Sequence, residues 1–365
     1  MVGFDTSPPA RTVRAMLSRR RALLLAPLSV LPLGQDATTA LGKKRKKTKV
    51  CLDGQTLKVP KKKKKQLLRK GARSGACKKC SGSTGCSSGD ICWEGVCRTC
   101  SVTCNGDSLT CGAALNQRLS QGGTVFVCPG RYAGGFTTAS VTLIGAGNGD
   151  NPATSTILDG REQERVLTTS EGATVSLSRL RITRGNSGDA PGGGVFASDG
   201  DLSIDDCVID GNRTSGSNFA GGGGLHAEGA RLTMTNSTVA NNTSGFGGGM
   251  QFRGSSHVSI AATRVSTNRV FNCGAYICMG GGIASYGVPI DIRDTEIDGN
   301  ISSGGGGGIM TYALLTLDAA TRITNNVTSV AWGGGGIYRG AGDNNVQVGG
   351  ATISGNTPDN INPPL

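Results

Sequence analysis

The chain has 365 residues, 60 of them glycine, and a formal net charge of +13 that is the sum of two unlike parts. Residues 1–79 hold 22 Lys and Arg against 3 acids, whereas residues 80–365 hold 16 basic residues, all arginine, against 22 acids. No lysine follows Lys79, so a basic head precedes an acidic body, a division that argues against specific nucleic-acid binding by the body.

The first element, residues 1–40, carries Ser18-Arg-Arg-Arg-Ala-Leu-Leu24 and then an apolar run to Leu33. It resembles a twin-arginine export signal, with Thr38-Thr-Ala40 as the cleavage word and Met16 as a candidate start. The apolar run is short and interrupted by proline, so no transmembrane span is expected in the mature chain. The alternative is a basic cytosolic tail. Ten of the 13 cysteines fall between Cys51 and Cys128, which favours an oxidising, exported destination, secreted or associated with the cell envelope.

Residues 41–76 form a lysine-rich, cysteine-bounded linker or module. It opens with Cys51-Leu-Asp-Gly-Gln-Thr-Leu-Lys-Val-Pro60 and closes on Gly75-Ala-Cys77. It resembles a short secreted module of the wording Cys-x-x-Gly-x-Thr-aliphatic-x-Val, which carries histidines near its end; here Leu67 and Lys70 stand in those places. Cys51 and Cys77 are the expected disulfide. A solvated, disordered arm is the alternative for the lysine runs.

Residues 77–104 are a dense cysteine patch. Cys80, Cys86, Cys92, Cys97, Cys100 and Cys104 are expected to pair among themselves, because so few Gly- and Ser-rich residues cannot bury a core. The spacing of Cys77, Cys80, Cys97 and Cys100 also fits a zinc site, which is kept as the alternative. Cys111 with Cys128 is expected to tie the next element to the first coil, and Cys273 with Cys278 to pin a later loop. Cys207 then remains a free thiol.

Residues 105–360 open with a short helical stretch, Ala113–Leu119, placed to cap the body. From Gly192 onward one pattern recurs six times: a glycine run, an aliphatic residue, and later an asparagine. The aliphatics are Val195, Leu225, Met250, Ile283, Ile309 and Ile337, and the asparagines are Asn212, Asn242, Asn268, Asn300, Asn326 and Asn356. From aliphatic to asparagine the separations are 17, 17, 18, 17, 17 and 19; from asparagine to the next aliphatic they are 13, 8, 15, 9 and 11. Half of the unit is fixed in length and half is free, as in a solenoid whose walls register while its loops vary. Between them run alternating segments such as Leu232-Thr-Met-Thr-Asn-Ser-Thr-Val239, which read as short strands.

Gly-Gly-Gly-Ile283 and Ile297-Asp-Gly-Asn300 resemble the repeats of polymorphic outer-membrane proteins, and more broadly the pectin-lyase-like family. That resemblance implies an all-β, right-handed parallel β-helix with stacked asparagines. The register adds that Cys207, Ser237, Thr263, Thr295, Thr321 and Ala351 form one stack of small residues, and that Arg264, Glu296 and Arg322 form a charge ladder. Residues 361–365 are a tail.

Lyases of that family use calcium-binding carboxylates with a base, and its hydrolases use paired carboxylates. The candidates here are Asp205, Asp206, Asp291, Arg293 and Asp294, but Asp205 and Arg293 fall three coils apart, about 14 Å by strand spacing. The Asn-Thr-Asp and Gly-His-Gly words of polygalacturonases are absent. A second outward surface follows the glycine runs, where His226, Glu228, Arg253, Tyr286, Tyr312 and Tyr338 offer a face for stacking on sugar rings. The expected function is an exported, non-enzymatic β-helix that binds polysaccharide or an anionic cell-envelope polymer, without a cofactor; the lysine-rich head would hold it there electrostatically. The alternative is a polysaccharide lyase or glycoside hydrolase, with calcium if a lyase.

Overall fold

The computed structural model describes residues 47–52, 55–70, 72–81, 85–215, 220–254, 257–271, 278–340 and 346–363. The export-signal wording therefore lies outside the described residues. None of the described helices is long and apolar enough to cross a membrane.

The body is an all-β parallel solenoid. Three sheets of nine parallel strands run along it, each coil giving one strand to each. Wall A begins at Gly123–Phe126 and ends at Val346–Gln347; wall B runs from Gly130–Ala133 to Thr352–Ser354; wall C runs from Phe136–Thr138 to Ile361–Asn362. A fourth, shorter stack joins Thr243–Ser244, Arg269–Val270, Ile301–Ser302 and Val327–Thr328. Period-two alternation sends Leu202 and Ile204, then Leu232 and Met234, then Val258 and Ile260 inward from wall A. Phe252 on wall C is fully buried, and its cross-strand neighbours are the small Ala227 and Ser285, so one large ring fills space that both leave open.

The two halves of the repeat touch. Each ladder asparagine takes the backbone N–H and the side-chain amide of the asparagine one coil earlier: Asn242 donates both groups to Asn268 Oδ1, each at 3.0 Å. Asn268 in turn donates its N–H to Asn300 Oδ1 at 3.0 Å, and its amide to the same oxygen at 2.9 Å and to the Val239 carbonyl at 2.9 Å. The series runs from Asn212 to Asn356, and Asn360 supplies the last acceptor. Beside it stands the glycine file. A Cβ on Gly249 would lie 2.7 Å from the Gly282 carbonyl oxygen and 3.0 Å from the Asn268 side chain, so only glycine leaves room for the ladder.

Before each ladder asparagine the backbone turns left-handed. Gly211, Asn241, Gly299, Asn325 and Gly355 occupy that place, as does Thr267 at φ 55°. A β-branched residue is strained there. Thr267→Asn is expected to raise stability by about 1 kcal/mol, read as a higher urea midpoint at unchanged slope. A lower midpoint would show that the Thr267 hydroxyl bond to Asn241, 2.8 Å long, outweighs the strain.

The capping helix, α2 (Ser108–Leu119), is longer than the sequence indicates. Asp107 caps it by accepting from the Thr110 N–H at 2.8 Å. Cys111, Leu115 and Leu119, four apart, cover the first coil together with Val125, Val127, Tyr132 and Phe136. Gly112 lets the helix approach: a Cβ there would fall 1.8 Å from the Ala133 carbonyl oxygen.

The disulfides correct two expectations. Cys51 and Cys77 are bonded, as are Cys80 with Cys92 and Cys86 with Cys97. Cys111, however, pairs with Cys104, and Cys128 with Cys100, so the cysteine patch is not closed on itself and Cys111–Cys128 does not form. The cause is backbone pairing that spacing does not reveal. Val102 bridges Val127 in parallel and accepts from the Cys128 N–H, which carries Cys100 to Cys128; Cys111, in the first turn of α2, then faces Cys104. The four cysteines of the zinc alternative, Cys77, Cys80, Cys97 and Cys100, sit in four different disulfides, whose sulfurs have no thiolate to give. Cys278 is disulfide-bonded, while Cys273 lies outside the described residues.

The lysine-rich segment is folded rather than an extended arm. Strands Lys47–Leu52, Gln55–Pro60 and Arg73–Ser74 make a small antiparallel sheet, and helix α1 (Lys61–Arg69) packs on it through Leu67. Val50, Val59 and Ala72 form its core.

Candidate functional site

Sequence grounds leave two outward faces open to a ligand and mark the third, wall B, as a ladder of paired charge. Wall B neutralises itself. Arg131 and Arg184 lie 2.6 and 3.4 Å from Asp159, and Arg181 grips Asp210 through two nitrogens at 3.0 and 2.5 Å. Arg264 reaches Glu296 at 3.4 Å and Asp298 at 3.9 Å, with Arg322 in register on the next coil. These pairs hold neighbouring coils; the exposed Arg264 pairs contribute little, whereas the Asp159 carboxylate is buried between its two arginines.

Wall C carries the six residues expected to bind a ligand, and much of it is covered. His226, Gln251 and Met310 are fully buried, and Gly221, in the segment after Asn212, lies against the Gln251 carboxamide. After four of the six ladder asparagines, the residue two further on holds such a segment by a carbonyl. Thr214 donates to Ala220 O at 3.2 Å, Ser244 to Phe246 O at 2.7 Å, Ser302 to Cys278 O at 3.1 Å, and Thr328 to Gly304 O. This accounts for the repeated Asn-x-Ser/Thr words. It is also why the first row after the glycine runs is not an open sugar platform.

The second row is brought together as the register required, but its ring faces are taken. Tyr286 and Tyr312 stack at 5.7 Å between centroids, and the Arg253 guanidinium lies 5.4 Å from the Tyr286 centroid on the preceding coil. Gly340 lies against Tyr312 on the following coil, where a Cβ would come within 1.8 Å of the ring. Burial, with Tyr312 beside it, raises the Tyr286 hydroxyl above its ordinary range, Arg253 opposing. Tyr338 packs edge-on against Trp332 at 5.7 Å, and Glu228 is exposed at the rim. Tyr286 thus has a neighbour over each face, Tyr312 on one side and Arg253 on the other.

His226 is strongly perturbed as well. It stacks on Phe196 at 5.6 Å, and neither ring nitrogen makes a hydrogen bond to any of the described residues. Burial pushes its pKa down to about 4, and the positive charges of Arg253 and Arg165 push the same way. The Gln251 carboxamide on the next coil opposes the shift without reaching hydrogen-bond geometry, and its own polar atoms are also unpaired. Glu228 comes within 3.8 Å of His226 Nε2.

Wall A is the face left open. Four of its five catalytic candidates are engaged locally through their side chains. Asp205 accepts from Thr235 at 2.6 Å and Asn236 at 2.8 Å; Asp206 accepts from Asn148 at 2.9 Å. Burial raises the Asp206 carboxyl, with Arg179 opposing and Asp205 adding to it. Asp291 is paired with Arg293 at 2.7 Å on its own strand, and the Asp294 backbone donates to Asp318. Asp205, Thr235, Ala261 and Arg293 do stand in one row, which keeps Asp205 and Arg293 three coils apart. Cys207 is fully buried, its thiol pushed up to about 12 by that burial, and it begins the stack of small residues by donating its N–H to the Ser237 hydroxyl oxygen, 3.1 Å away.

Between the engaged rows of wall A runs a file that sequence reasoning passed over. Thr124, Thr142, Ser176, Ser203, Thr233, Ser259, Asp291 and Thr316 are consecutive cross-strand partners. Apart from Asp291, each presents a hydroxyl that bonds no protein group among the described residues. Elsewhere in the solenoid Thr156, Ser237, Thr263 and Thr321 all use theirs. At strand spacing the file extends roughly 34 Å. Its signal was present in each strand, as the polar residue between two inward aliphatics.

No family model matches the chain, and neither a curated protein nor a solved structure matches it.

Proposed function

We propose that this chain is an exported, non-enzymatic β-solenoid that binds an extended polysaccharide, or a cell-envelope surface built of one, along wall A. We read the fold as a right-handed β-helix of the pectin-lyase-like kind and the basic leader as a twin-arginine export signal. One observation carries the binding reading: a file of hydroxyls on seven of the eight consecutive strands from Thr124 to Thr316, interrupted by Asp291 and bonded to no protein group among the described residues. Its step is comparable with one residue of an extended pyranose chain. A single hydroxyl–hydroxyl bond replaces bonds to water for a net of about 0.5–1.5 kcal/mol at most. A polymer that engages several coils orders itself once and gains from each further contact. The local pairing of Asp205, Asp206, Asp291 and Arg293 supports a binding role over hydrolysis or elimination.

The test is a panel of neutral and acidic polysaccharides titrated against the protein and against the triple variant Ser203→Val, Thr233→Val, Ser259→Val. The variant keeps strand-favouring side chains on an outward row, so its melting temperature should stay within a few degrees. Affinity for the bound polymer should fall at least tenfold. Undiminished binding removes wall A as the site. Release of reducing ends or unsaturated products from any polymer, with or without calcium, would replace this reading with the lyase or hydrolase alternative.

A further inference from the structure

We infer that the small basic unit at residues 47–79 is a docking surface for an acidic polysaccharide, separate from wall A. The unit holds 13 Lys and Arg against one acid, Asp53. None of its 11 lysines lies within salt-bridge distance of a carboxylate among the described residues. The lysines are placed where they work against the unit's own stability. Lys49 and Lys58 are directly opposite one another on neighbouring antiparallel strands, where like charges repel. Lys61 to Lys65 fill the first half of α1, whose opening turn has no acid, so five cations oppose the helix dipole. Lys64 is held by Ser74 at 2.6 Å, whereas Lys61, Lys62, Lys63 and Lys65 are exposed. A fold with a core of only a few side chains accepts this repulsion without internal compensation, and an external polyanion relieves it.

The distribution of charge distinguishes between polyanions. Val50, Val59 and Leu57 face α1, so the alternation of the strands sends Lys49 and Lys58 to the opposite side of the sheet. Cations therefore lie on both sides of the unit. A planar anionic bilayer meets one side only, and the unit's one exposed large apolar side chain, Leu68, offers little to insert. A flexible acidic chain can pass around both. The segment contains no aromatic residue on which nucleobases could stack, and 11 of its 13 cations are lysine, a point cation suited to carboxylate or sulfate without bidentate geometry.

The test uses the whole protein with polygalacturonate, a sulfated polysaccharide, a neutral glucan and phosphatidylserine-containing vesicles, each over a range of salt. Two variants separate the sides: Lys49→Gln with Lys58→Gln, and Lys61→Gln with Lys62→Gln and Lys65→Gln. Both should fold with melting temperatures equal to or above the parent, since each removes repulsion. Both should weaken acidic-polymer binding by about tenfold or more and flatten its salt dependence. The wall A triple variant should leave that binding unchanged, so this result stands or falls apart from the hydroxyl file. Acidic-polymer binding that survives the Lys49 and Lys58 changes overturns the proposal. So does binding to vesicles alone, or to neither polyanion.

Discussion

Asn268→Ala is expected to be among the most damaging single substitutions in the solenoid, costing about 3–5 kcal/mol. The change removes no large apolar surface. It leaves the Asn242 N–H, one Asn242 amide hydrogen and the Val239 carbonyl without the partners they have at 2.9 to 3.0 Å. All are buried, so water cannot replace what is lost, and each unsatisfied group costs about 1–3 kcal/mol. Asn356→Ala, at the last coil where the ladder residue is slightly exposed, should cost less than half as much. Urea unfolding of both variants against the parent checks this. Equal costs at the two positions, or a loss below 1 kcal/mol at Asn268, would mean the ladder is not the internal brace described.

The second large effect is acid sensitivity centred on His226. Its pKa is about 4 in the fold, against an ordinary 6.5, so between these values the unfolded chain binds the proton and the folded chain does not. Its contribution is therefore fully present above pH 6.5 and is lost as pH falls. The loss should reach about 2 kcal/mol by pH 5 and about 3 kcal/mol by pH 4. His226→Phe, which continues the stack begun by Phe196, should remove the part between pH 6.5 and 5. The carboxyls with lowered pKa, Asp107 and Asp318, lose their contribution only below the ordinary carboxylate value of 3.8, so they do not fill that window. A variant whose unfolding midpoint tracks the parent across the window would place the sensitivity elsewhere.

Register was legible because every coil repeats the same constraint. The pairing of Arg264 with Glu296, the adjacency of Tyr286 and Tyr312, the three-coil gap between Asp205 and Arg293, and the burial of Cys207 all follow from counting along the repeat. What lay between the repeats was not legible. The loops over His226 and Gln251 differ in length from coil to coil, and period says nothing about which way they fold. The Thr214 and Ser244 hydroxyls that hold them were visible only as a turn word. The partners of Cys100 and Cys111 depended on a single parallel bridge between Val102 and Val127, far apart in sequence. The hydroxyl file of wall A is carried by the polar half of the same alternation, which periodicity marks only as outward. Yet the outward half is where a scaffold with a filled interior meets anything else.

The absence of lysine beyond Lys79 has a practical consequence. Amine-reactive dyes, biotin esters and sensor surfaces will couple only through the basic head, leaving all three walls of the solenoid chemically untouched. Immobilised that way, the molecules share one attachment region while wall A stays unmodified and available to a polymer in solution. The same coupling neutralises the cations of the small basic unit. A single labelling reaction therefore compares the two surfaces without altering a codon.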